Sequence, residues 1–320
     1  MSGQLSVVSC QRTVATDSGQ LELVSCPVGN GQLQQTTDNR QQTTRISQLS
    51  VASGQLQRAT DNGQQTNVCM LASGSKGNAV FISGGSTAIL VDAGLSGIEI
   101  ERRLKSRGIS PRELDAIVVS HEHADHTRGV GVLSRRFCLP VCISRKTKRV
   151  AGSRLGTIRD ARVFTVGTGF TIGSLTIRPF SISHDAEDAA GFTVAHNGVK
   201  IGIATDLGIA TSVVKAHLKD CTVLIIEANH DPEMLIRGPY PWPLKQRVRS
   251  RIGHLSNNES RELLEEVRHD GLSHVILAHL SEANNTPEKA LNAVSQAMNH
   301  CNARLMVANQ YVCGDLLHLR

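Results

Sequence analysis

The chain has 320 residues, a formal net charge of +6, and 40% hydrophobic but only 3% aromatic residues. This length allows one large α/β domain with an extension, or two domains. No run reaches the roughly 18 apolar residues of a membrane-spanning helix, and the amino terminus lacks the basic start and apolar block of a signal peptide, so we expect neither a membrane partner nor secretion. The eight cysteines form no CxxC pair and no regular disulfide framework, which indicates reduced thiols and a cytoplasmic location.

The first 66 residues differ in composition from the rest of the chain. Two motifs each occur twice: "SGQLSVVSC" (2–10) returns as "SGQLELVSC" (18–26), and "GQLQQTTDNRQQT" (31–43) returns as "GQLQRATDNGQQT" (54–66). A segment this rich in Gln, Thr, Ser and Asn, with no aromatic residue, buries too little apolar area to offset its chain entropy. We therefore predict a disordered low-complexity segment over residues 1–66 and a single folded domain over residues 67–320.

The repeat segment also carries no net charge. It holds four arginines and four acidic residues, so the whole positive excess lies in the rest of the chain and indicates an anionic partner. One hypothesis is that the segment is translated upstream sequence and that the natural start lies near Val68 or Met70. N-terminal sequencing of the native protein would test this.

From Val68 onward, short apolar runs alternate with a few helical patterns. The helical stretches are "GIEIERRLKSRG", "SVVKAHLKD" and "SNNESRELLEEVRHDG", where apolar residues recur at a spacing of about 3.6. The runs that predict strands include "AILVDA", "LDAIVVS", "LTIRPFSI", "VKIGIATD", "CTVLIIEA" and "SHVILAH". Hairpins mixed with strand–helix units over this length predict two sheets packed together with helices outside.

The strongest chemical signal is "SHEHADH" at 120–126, directly after the predicted strand "LDAIVVS". Where a strand passes into a loop, His121 and His123 can turn toward one metal ion, and Asp125 and His126 toward a second. The alternative is a chance cluster of solvated histidines. So dense a group of His and Asp is hard to accommodate without a ligand, which favours the metal site.

The motif HxHxDH after an apolar strand, with "ILVDAG" about thirty residues upstream, resembles the signature of the metallo-β-lactamase fold. The resemblance implies an α/β protein with a four-layer αββα sandwich that holds one or two divalent metal ions at its edge. Zinc or manganese fits His and Asp ligands best, and iron or magnesium is possible.

The same resemblance implies where the other ligands lie, since in this fold they follow in order at strand ends. "SISHD" offers His184, "IATD" offers Asp206, and "ILAHLS" offers His279. Asp206 would bridge the metal ions, and Asp92 would orient a ligand histidine. The implied ligand sets are His121, His123 and His184 for one ion, and Asp125, His126 and His279 for the other.

The match extends beyond the fold signature. The stretches "LASGSKGN", "ISHDAEDAAGFT", "EANHDPEML", "GPYPWPLKQRV", "GHLSN" and "LAHLSEANNTPE" resemble the YycJ/WalJ branch of this fold, whose bacterial members are described as 5′ exonucleases acting on DNA. The resemblance covers about residues 68–320. It implies a phosphodiesterase that degrades DNA from 5′ to 3′ through in-line attack by a metal-bridging hydroxide.

Two catalytic residues are predicted. Asp125 would hold the attacking hydroxide in line, and His254 in "GHLSN" would protonate the leaving oxygen or grip the phosphate. The alternative roles for His254 are a structural cap or a metal ligand. His279 is the better seventh ligand because it ends a strand, although the two histidines can be exchanged.

The segment "GPYPWPLKQRVRSRIGHLS" at 238–256, called here the aromatic-basic loop, holds the only tryptophan of the chain. We predict that Tyr240 and Trp242 stack on a terminal base and that the basic residues which follow bind the backbone. Packing of Trp242 into the core is the alternative. The basic residues concerned are Lys245, Arg247 and Arg249.

Three further residues are candidate substrate contacts. Ser75 and Asn78 lie in "SGSKGN", which lacks the spacing of a phosphate-binding P-loop and is either a tight turn beside the metal site or a plain hairpin turn. His230 follows the strand "CTVLIIEA".

Three classes of function remain. A metal-dependent DNA nuclease is favoured by the resemblance, the charge and the aromatic-basic loop. A small-molecule hydrolase of the same fold, such as a cyclic phosphodiesterase, thioesterase or lactamase, needs a closed pocket more than a basic approach path. A noncatalytic binding module would not need every ligand position filled, and none is missing here.

Overall fold

The computed structural model describes residues 9–15, 21–27, 65–299 and 301–320. The chain divides into two compact units, Met1–Arg58 and Ala59–Arg320. In the first unit, β1 (Ser9–Ala15) pairs antiparallel with β2 (Leu21–Pro27). This pair was not predicted, and its sequence contains Thr13, Val14 and Val24, residue types that favour strands. The rest of the predicted disordered segment lies outside the described residues.

The second unit contains two sheets, each with seven strands among the described residues. Its first strand begins at Thr66, where the sequence predicted a folded domain from residue 67. In chain order the strands are β3 (Thr66–Ala72), β4 (Ala79–Gly84), β5 (Thr87–Val91), β6 (Ala116–Val118), β7 (Val141–Ser144), β8 (Ala161–Phe164), β9 (Phe170–Ile172), β10 (Leu175–Ser181), β11 (Ala190–His196), β12 (Val199–Ala204), β13 (Val223–Glu227), β14 (His274–Ala278), β15 (Arg304–Val307) and β16 (Leu317–Leu319).

The two sheets have the same arrangement of strands, with an antiparallel part and a parallel part. The first runs β16-β3-β4-β5-β6-β7-β8, antiparallel from β16 to β5 and parallel from β5 to β8. The second runs β15-β14-β13-β12-β11-β10-β9, antiparallel from β9 to β12 and parallel from β12 to β15. Because carboxyl ends of parallel strands point the same way, each sheet presents a set of strand ends at one edge.

Helices connect the strands. In chain order they are α1 (Gly97–Ser106), α2 (Ala124–Thr127), α3 (Val130–Phe137), α4 (Arg145–Ala151), α5 (Ser212–Leu218), α6 (Pro232–Arg237), α7 (Trp242–Val248), α8 (Asn257–Val267) and α9 (Pro287–Ser295). Short 3-10 turns cover Pro111–Glu113, Gly152–Leu155 and Gln296–Met298. No helix within the described ranges is long and apolar enough to cross a membrane.

Three apolar clusters define four layers. Ile89 of β5 and Ile225 of β13 belong to the cluster between the sheets, whereas the adjacent Leu90 packs with Leu104 of α1, and Leu224 packs with Leu263 of α8. These strands are apolar on both faces because each sheet is covered on both sides, which explains their continuous hydrophobic runs. The predicted αββα sandwich is confirmed.

The prediction that all cysteines are reduced holds for part of the described chain only. Free thiols are found at Cys69, Cys142, Cys221, Cys301 and Cys313. Cys138, at the end of α3, is disulfide-bonded, so the prediction is wrong at that position. Spacing alone did not indicate this bond, because Cys138 belongs to no paired cysteine motif.

Candidate metal centre

The histidine motif lies where β6 leaves the first sheet. His123 has an extended backbone and immediately precedes the first turn of α2. His121 and His126 are fully buried and His123 is half-buried. His184, from the loop between β10 and β11, approaches from the second sheet, with its Nε2 3.3 Å from His123 Nδ1. Ring nitrogens of His121, His123 and His184 all lie within 4.8 Å of one another.

A second group of side chains lies beside the first. One ligand atom each from Asp125, His126, Asp206 and His279 falls within the same mutual distance of 4.8 Å. Asp206 is central, because its Oδ2 is 3.3 Å from His126 Nε2 and its Oδ1 is 3.4 Å from His279 Nε2. The same Oδ1 is 3.9 Å from His184 Nε2 in the first group. Asp206 therefore reaches both groups, as a bridging ligand must.

Three residues at this edge have an unusual backbone. Asp92, Asp206 and His279 have φ values of 61°, 59° and 57°, in the left-handed region that costs a residue with a side chain on the order of 1–2 kcal/mol. Each follows a parallel strand, namely β5, β12 and β14. The left-handed residue turns the chain sharply at the strand end while its side chain stays at the edge between the sheets.

The donor atoms fit divalent metal ions. Nε2 of His121, Nε2 of His279 and Oδ2 of Asp206 are buried and have no hydrogen-bond partner, a state that costs about 1–3 kcal/mol for each atom unless a ligand satisfies it. Three imidazoles in one group, and two imidazoles with two carboxylates in the other, suit zinc or manganese. The residues present therefore fit two divalent cations.

Burial and neighbouring charges hold two of these side chains in the form that binds a cation. Burial lowers the pKa of His121 well below its usual value, and the neighbouring His126 adds to this, so His121 is neutral with a free lone pair. Burial alone would raise the pKa of Asp206, but the charges of His279 and His126 outweigh it and hold that pKa well below its usual range. Asp206 is thus an anion at neutral pH.

A buried carboxylate supports the histidine motif from the first sheet. Asp92 Oδ2 accepts hydrogen bonds from His126 Nδ1 at 2.7 Å and from Ser120 Oγ at 2.7 Å, and its Oδ1 accepts one from Ser120 N at 2.8 Å. The bond to Nδ1 fixes the ring of His126 and leaves Nε2 facing Asp206. This is the orienting contact that the resemblance implied for Asp92.

The second sheet has its own buried carboxylate, Glu227, which the sequence analysis missed. Its Oε1 accepts hydrogen bonds from His254 Nδ1 at 2.9 Å and His279 Nδ1 at 2.8 Å, while its Oε2 accepts from the backbone N of Leu207 at 3.0 Å and of Leu255 at 3.1 Å. Burial opposes ionisation, but His254 foremost holds the pKa of Glu227 at about 2. The available signal was a charged residue ending the otherwise apolar strand "VLIIE".

His254 and His279 differ in their surroundings. His279 joins Asp125, His126 and Asp206, whereas His254 groups with Glu227, Asp206 and His279 only. The side chain of His254 is 21% exposed and that of His279 is 4% exposed. This geometry favours His279 as the seventh ligand and leaves His254 facing the adjacent cavity.

A cavity of about 200 Å³ opens beside the candidate metal ligands. It brings together the turn after β3, the loops after β13 and β14, and the aromatic-basic loop. Asp185, Asn229 and Ser281, which line it, were not predicted as site residues. The lining residues are Ser75, Asp185, Asn229, Tyr240, Leu244, Arg247, Val248, Gly253, His254 and Ser281.

The aromatic-basic loop, residues 238–256, contains the helix α7. Trp242 is the first residue of this helix and is 58% exposed, so the alternative that it packs into the core does not hold. Tyr240 lines the cavity. Trp242 is thus open to solvent, whereas Tyr240 is half-buried.

The basic residues of this loop have different partners. Lys245 Nζ donates a hydrogen bond to the backbone O of Ile236 at 2.6 Å. Arg247 Nε donates to Asp185 Oδ2 at 2.6 Å, and the same guanidinium lines the cavity. Arg249 and Arg251 are exposed, and neither forms an ion pair within the described chain.

The remaining candidate contacts lie at different distances from the cavity. Ser75 is exposed and lines it. Asn78 is buried, and its Nδ2 lies 3.1 Å from His126 Nε2 and 3.3 Å from Asp125 Oδ2, so it supports the motif. His230 is buried and does not line the cavity. Its neighbour Asn229 occupies that position because the backbone at His230 pairs with Ser256.

Comparison with known proteins identifies the family of this chain. Residues 87–280 match the model of the β-lactamase superfamily domain. The chain is 37% identical to exodeoxyribonuclease YycJ of Bacillus anthracis over 231 residues, 72% of this chain and 88% of that protein. It is 36% identical to exodeoxyribonuclease WalJ of Streptococcus pneumoniae over 236 residues, 71% and 88% of the two chains.

A solved structure has the same fold. The metallo-β-lactamase fold protein YhfI of Bacillus subtilis superposes with a TM-score of 0.61 at 17% sequence identity, over 80% of this chain and all of that one. At this identity the likeness concerns the fold alone.

Proposed function

The chain belongs to the β-lactamase superfamily, in the branch of the YycJ and WalJ proteins, and from that premise we propose that it is a metal-dependent DNA exonuclease that acts from 5′ to 3′. One observation carries the proposal. Asp206 belongs to one group of candidate metal ligands and its Oδ1 lies 3.9 Å from His184 Nε2 of the other, and a cavity lined by Arg247 and Tyr240 opens beside them. The two relatives are exodeoxyribonucleases, which supports DNA as the substrate, and the 5′-to-3′ direction rests on the resemblance alone.

The metal ligands would divide between two ions. His121, His123 and His184 would hold one, Asp125, His126 and His279 the other, and Asp206 would contact both. When bound, two divalent ions lower the pKa of a shared water and stabilise the negative charge that builds up on a phosphodiester. Asp125, which is partly exposed at the edge of its group, is proposed to align the attacking oxygen with the scissile bond.

His254 is proposed to protonate the leaving oxygen. Its Nδ1 is held by Glu227, so Nε2 is the nitrogen left for the substrate. Burial lowers the pKa of His254, but the charge of Glu227 outweighs burial and raises it above the usual value, which favours the imidazolium that a general acid needs. Glu227 positions His254 and His279 together and thereby links proton transfer to the metal ligands.

Substrate recognition is assigned to the rim of the cavity. Tyr240 and Trp242 would stack on the terminal base, and Arg247 would contact the phosphate with Ser75 opposite. Arg249 and Lys245 would contact backbone phosphates next to the terminal base. Zinc or manganese is proposed as the metal, and the cytoplasm as the compartment.

The other functional classes are less well supported. A small-molecule hydrolase is not favoured, because the YycJ and WalJ relatives, at 37% and 36% identity, are exodeoxyribonucleases. A noncatalytic module does not explain why His121, Asp206 and His279 each keep a buried nitrogen or oxygen atom without a hydrogen-bond partner.

The proposal is tested with the full chain on synthetic DNA, single- or double-stranded, labelled at either the 5′ or the 3′ end, with Mn²⁺, Mg²⁺ or Zn²⁺. We expect the 5′ label to be released first as a short product, and no release from Asp125→Ala. Asp270→Ala, an exposed carboxylate on the loop after α8, is the matched control and should act like the parent. Equal cleavage by Asp125→Ala, or none by the parent chain, would remove the nuclease function.

A further inference from the structure

A basic helix lies next to the candidate metal centre and takes no part in it. Helix α4, "RKTKRVA", follows β7, the parallel neighbour of the strand that ends in the histidine motif. It contains four basic residues and no acidic one. Thr147 and Ala151 are buried against the domain, whereas the four basic side chains are exposed. The helix therefore presents a uniformly positive face to solvent. Its basic residues are Arg145, Lys146, Lys148 and Arg149.

Two of these residues contact the loop that carries His184. Arg149 Nη2 lies 2.7 Å from Glu187 Oε1, and Lys146 Nζ lies 3.8 Å from Asp188 Oδ1. The backbone N of Glu187 in turn donates to Glu122 Oε1 at 2.9 Å, inside the histidine motif. Helix α4 is thus only one short loop away from the candidate metal ligands.

The same loop contacts the aromatic-basic loop through another acid. Asp185, directly after His184, pairs with Arg247 of α7, and the charges of His184 and Arg247 overcome burial to lower the pKa of Asp185. The loop at 182–189 therefore binds α7 through Asp185 and α4 through Glu187 and Asp188. Basic helices flank the segment that supplies His184.

The ion pairs with Glu187 and Asp188 involve only two of the four basic residues of α4. Arg145 and Lys148 are exposed and form no ion pair within the described ranges. With Arg149 they stand at spacings of three and four residues, so they share one face of the helix. Like charges at this spacing destabilise a helix, and a surface that keeps them is suited to a polyanion, whose phosphates replace the missing counterions.

We propose that the exposed face of α4 is a second DNA-binding surface, which holds the phosphates of the strand after it has passed the metal centre from the aromatic-basic loop. The inference rests on the proposed nuclease function and adds a path for the substrate. A helix of seven residues is about 10 Å long. At about 3.4 Å of axial rise per nucleotide, this length matches two or three phosphates. The contacts are to the backbone, so they carry no base preference.

The test uses the full-length double variant Arg145→Ala/Lys148→Ala. Alanine maintains the helix, and neither side chain is buried. On a long single-stranded DNA at about 0.1 M salt, we expect KM to rise on the order of tenfold with kcat unchanged, since counterion release is lost at two positions. The slope of log KM against log salt should fall by about 0.7 for each lost contact to single-stranded DNA. Hydrolysis of bis(4-nitrophenyl) phosphate, which cannot reach α4, should be unchanged.

The matched control is Lys105→Ala/Lys219→Ala, which removes the same charge. Lys105 lies in the last turn of α1 and Lys219 directly follows α5. Each helix begins after a strand that ends at the metal-ligand edge, so its last turn lies away from that edge. We expect a much smaller change in KM for long DNA from this variant. Equal KM values and equal salt slopes in the two double variants would overturn the α4 surface, as would an equal loss on the small ester.

Failure of the proposed function is distinguishable from failure of this inference. If the parent chain digests long DNA and the α4 variant does so with the same KM, the inference is wrong and the nuclease stands. If the parent chain hydrolyses the small ester but no DNA of any length, the nuclease function is wrong and α4 has no substrate to hold.

Discussion

The two sheets contribute to the site in different ways. The first sheet supplies four candidate ligands from one stretch of seven residues, 120–126, on a single strand end. The second sheet supplies His184, Asp206 and His279 from three separate connections, together with Glu227 and His254. The half of the site on the first sheet is therefore set by local chain geometry. The half on the second sheet depends on the packing of several strands.

The two halves also differ in their supporting carboxylates. Asp92 receives a hydrogen bond from one histidine, His126, and is otherwise satisfied by Ser120. Glu227 receives bonds from His254 and His279 and from two backbone amides. A single carboxylate in the second sheet therefore positions a candidate ligand and the candidate proton donor together.

The largest effect is expected where the halves meet, at Asp206. Asp206→Ala should reduce the DNA hydrolysis rate on the order of 10³-fold or more, because the residue that links the two groups is lost. Metal content per chain, measured by mass spectrometry, should fall as well. Asp220→Ala is the control, since Asp220 is exposed and has a left-handed φ of 58° like Asp206. If Asp206→Ala kept the full metal content and the full rate, Asp206 would not link the two groups of ligands.

The next largest effects are expected at Glu227 and Asp92, the two carboxylates that hold histidines of the site, and the two should differ in size. We expect Glu227→Gln to lower kcat by about 10- to 100-fold, the range for residues that orient metal ligands. Asp92→Asn should stay at the lower end, since one histidine depends on it instead of two. Rates are measured at saturating metal and DNA, and metal affinity is measured by competition with a chelator. If Asp92→Asn costs more than Glu227→Gln, the asymmetry drawn between the halves is wrong.

A smaller effect is expected at the exposed tryptophan of the second half. Trp242→Ala should raise KM for DNA roughly tenfold, since stacking on a base is worth about 1–3 kcal/mol, and should leave the rate on a small ester unchanged. The free energy of unfolding should change by less than about 0.5 kcal/mol, because the side chain is largely exposed. Ile98→Ala, an exposed apolar residue on α1, is the control. An unchanged KM would argue against stacking.

The smallest effect is expected from the unpaired arginines after α7. Arg249→Ala/Arg251→Ala should flatten the salt dependence of DNA binding by about 0.7–0.9 per contact, with kcat unchanged. Arg247→Ala should behave differently, because it releases Asp185 beside His184 and thereby lowers kcat as well. Fluorescence anisotropy at several salt concentrations measures the slopes. Identical behaviour of the two variants would contradict a distinct role for Arg247.

The first half of the site was predictable from the sequence because its information is contiguous. His121, His123, Asp125 and His126 form one motif after an apolar strand, and the structure brings them to the edge between the sheets. The continuous apolar runs likewise predicted two sheets packed together with helices outside, since strands buried on both faces need continuous hydrophobic sequence.

The second half was predictable only where the family resemblance supplied an order of ligands. Glu227 escaped notice because its function consists of bonds to residues 27 and 52 positions away, and a lone acid at a strand end forms no motif. Asp185 and Asn229 were missed for the same reason, since a cavity wall gathers residues from separate loops. The exposure of Trp242 was not decidable from composition, because an aromatic residue suits a core and a binding surface equally well.

The central claim is that two divalent ions held between the sheets carry out DNA hydrolysis, and titration of the metal-free chain tests it most directly. The chain is stripped with a chelator, Mn²⁺ or Zn²⁺ is added back in known ratio to protein, and release of the 5′ label is measured at each step. The account predicts no digestion without metal and a rate that rises until about two equivalents are bound. Digestion by the stripped chain, or a rate that is complete at one equivalent, would contradict it.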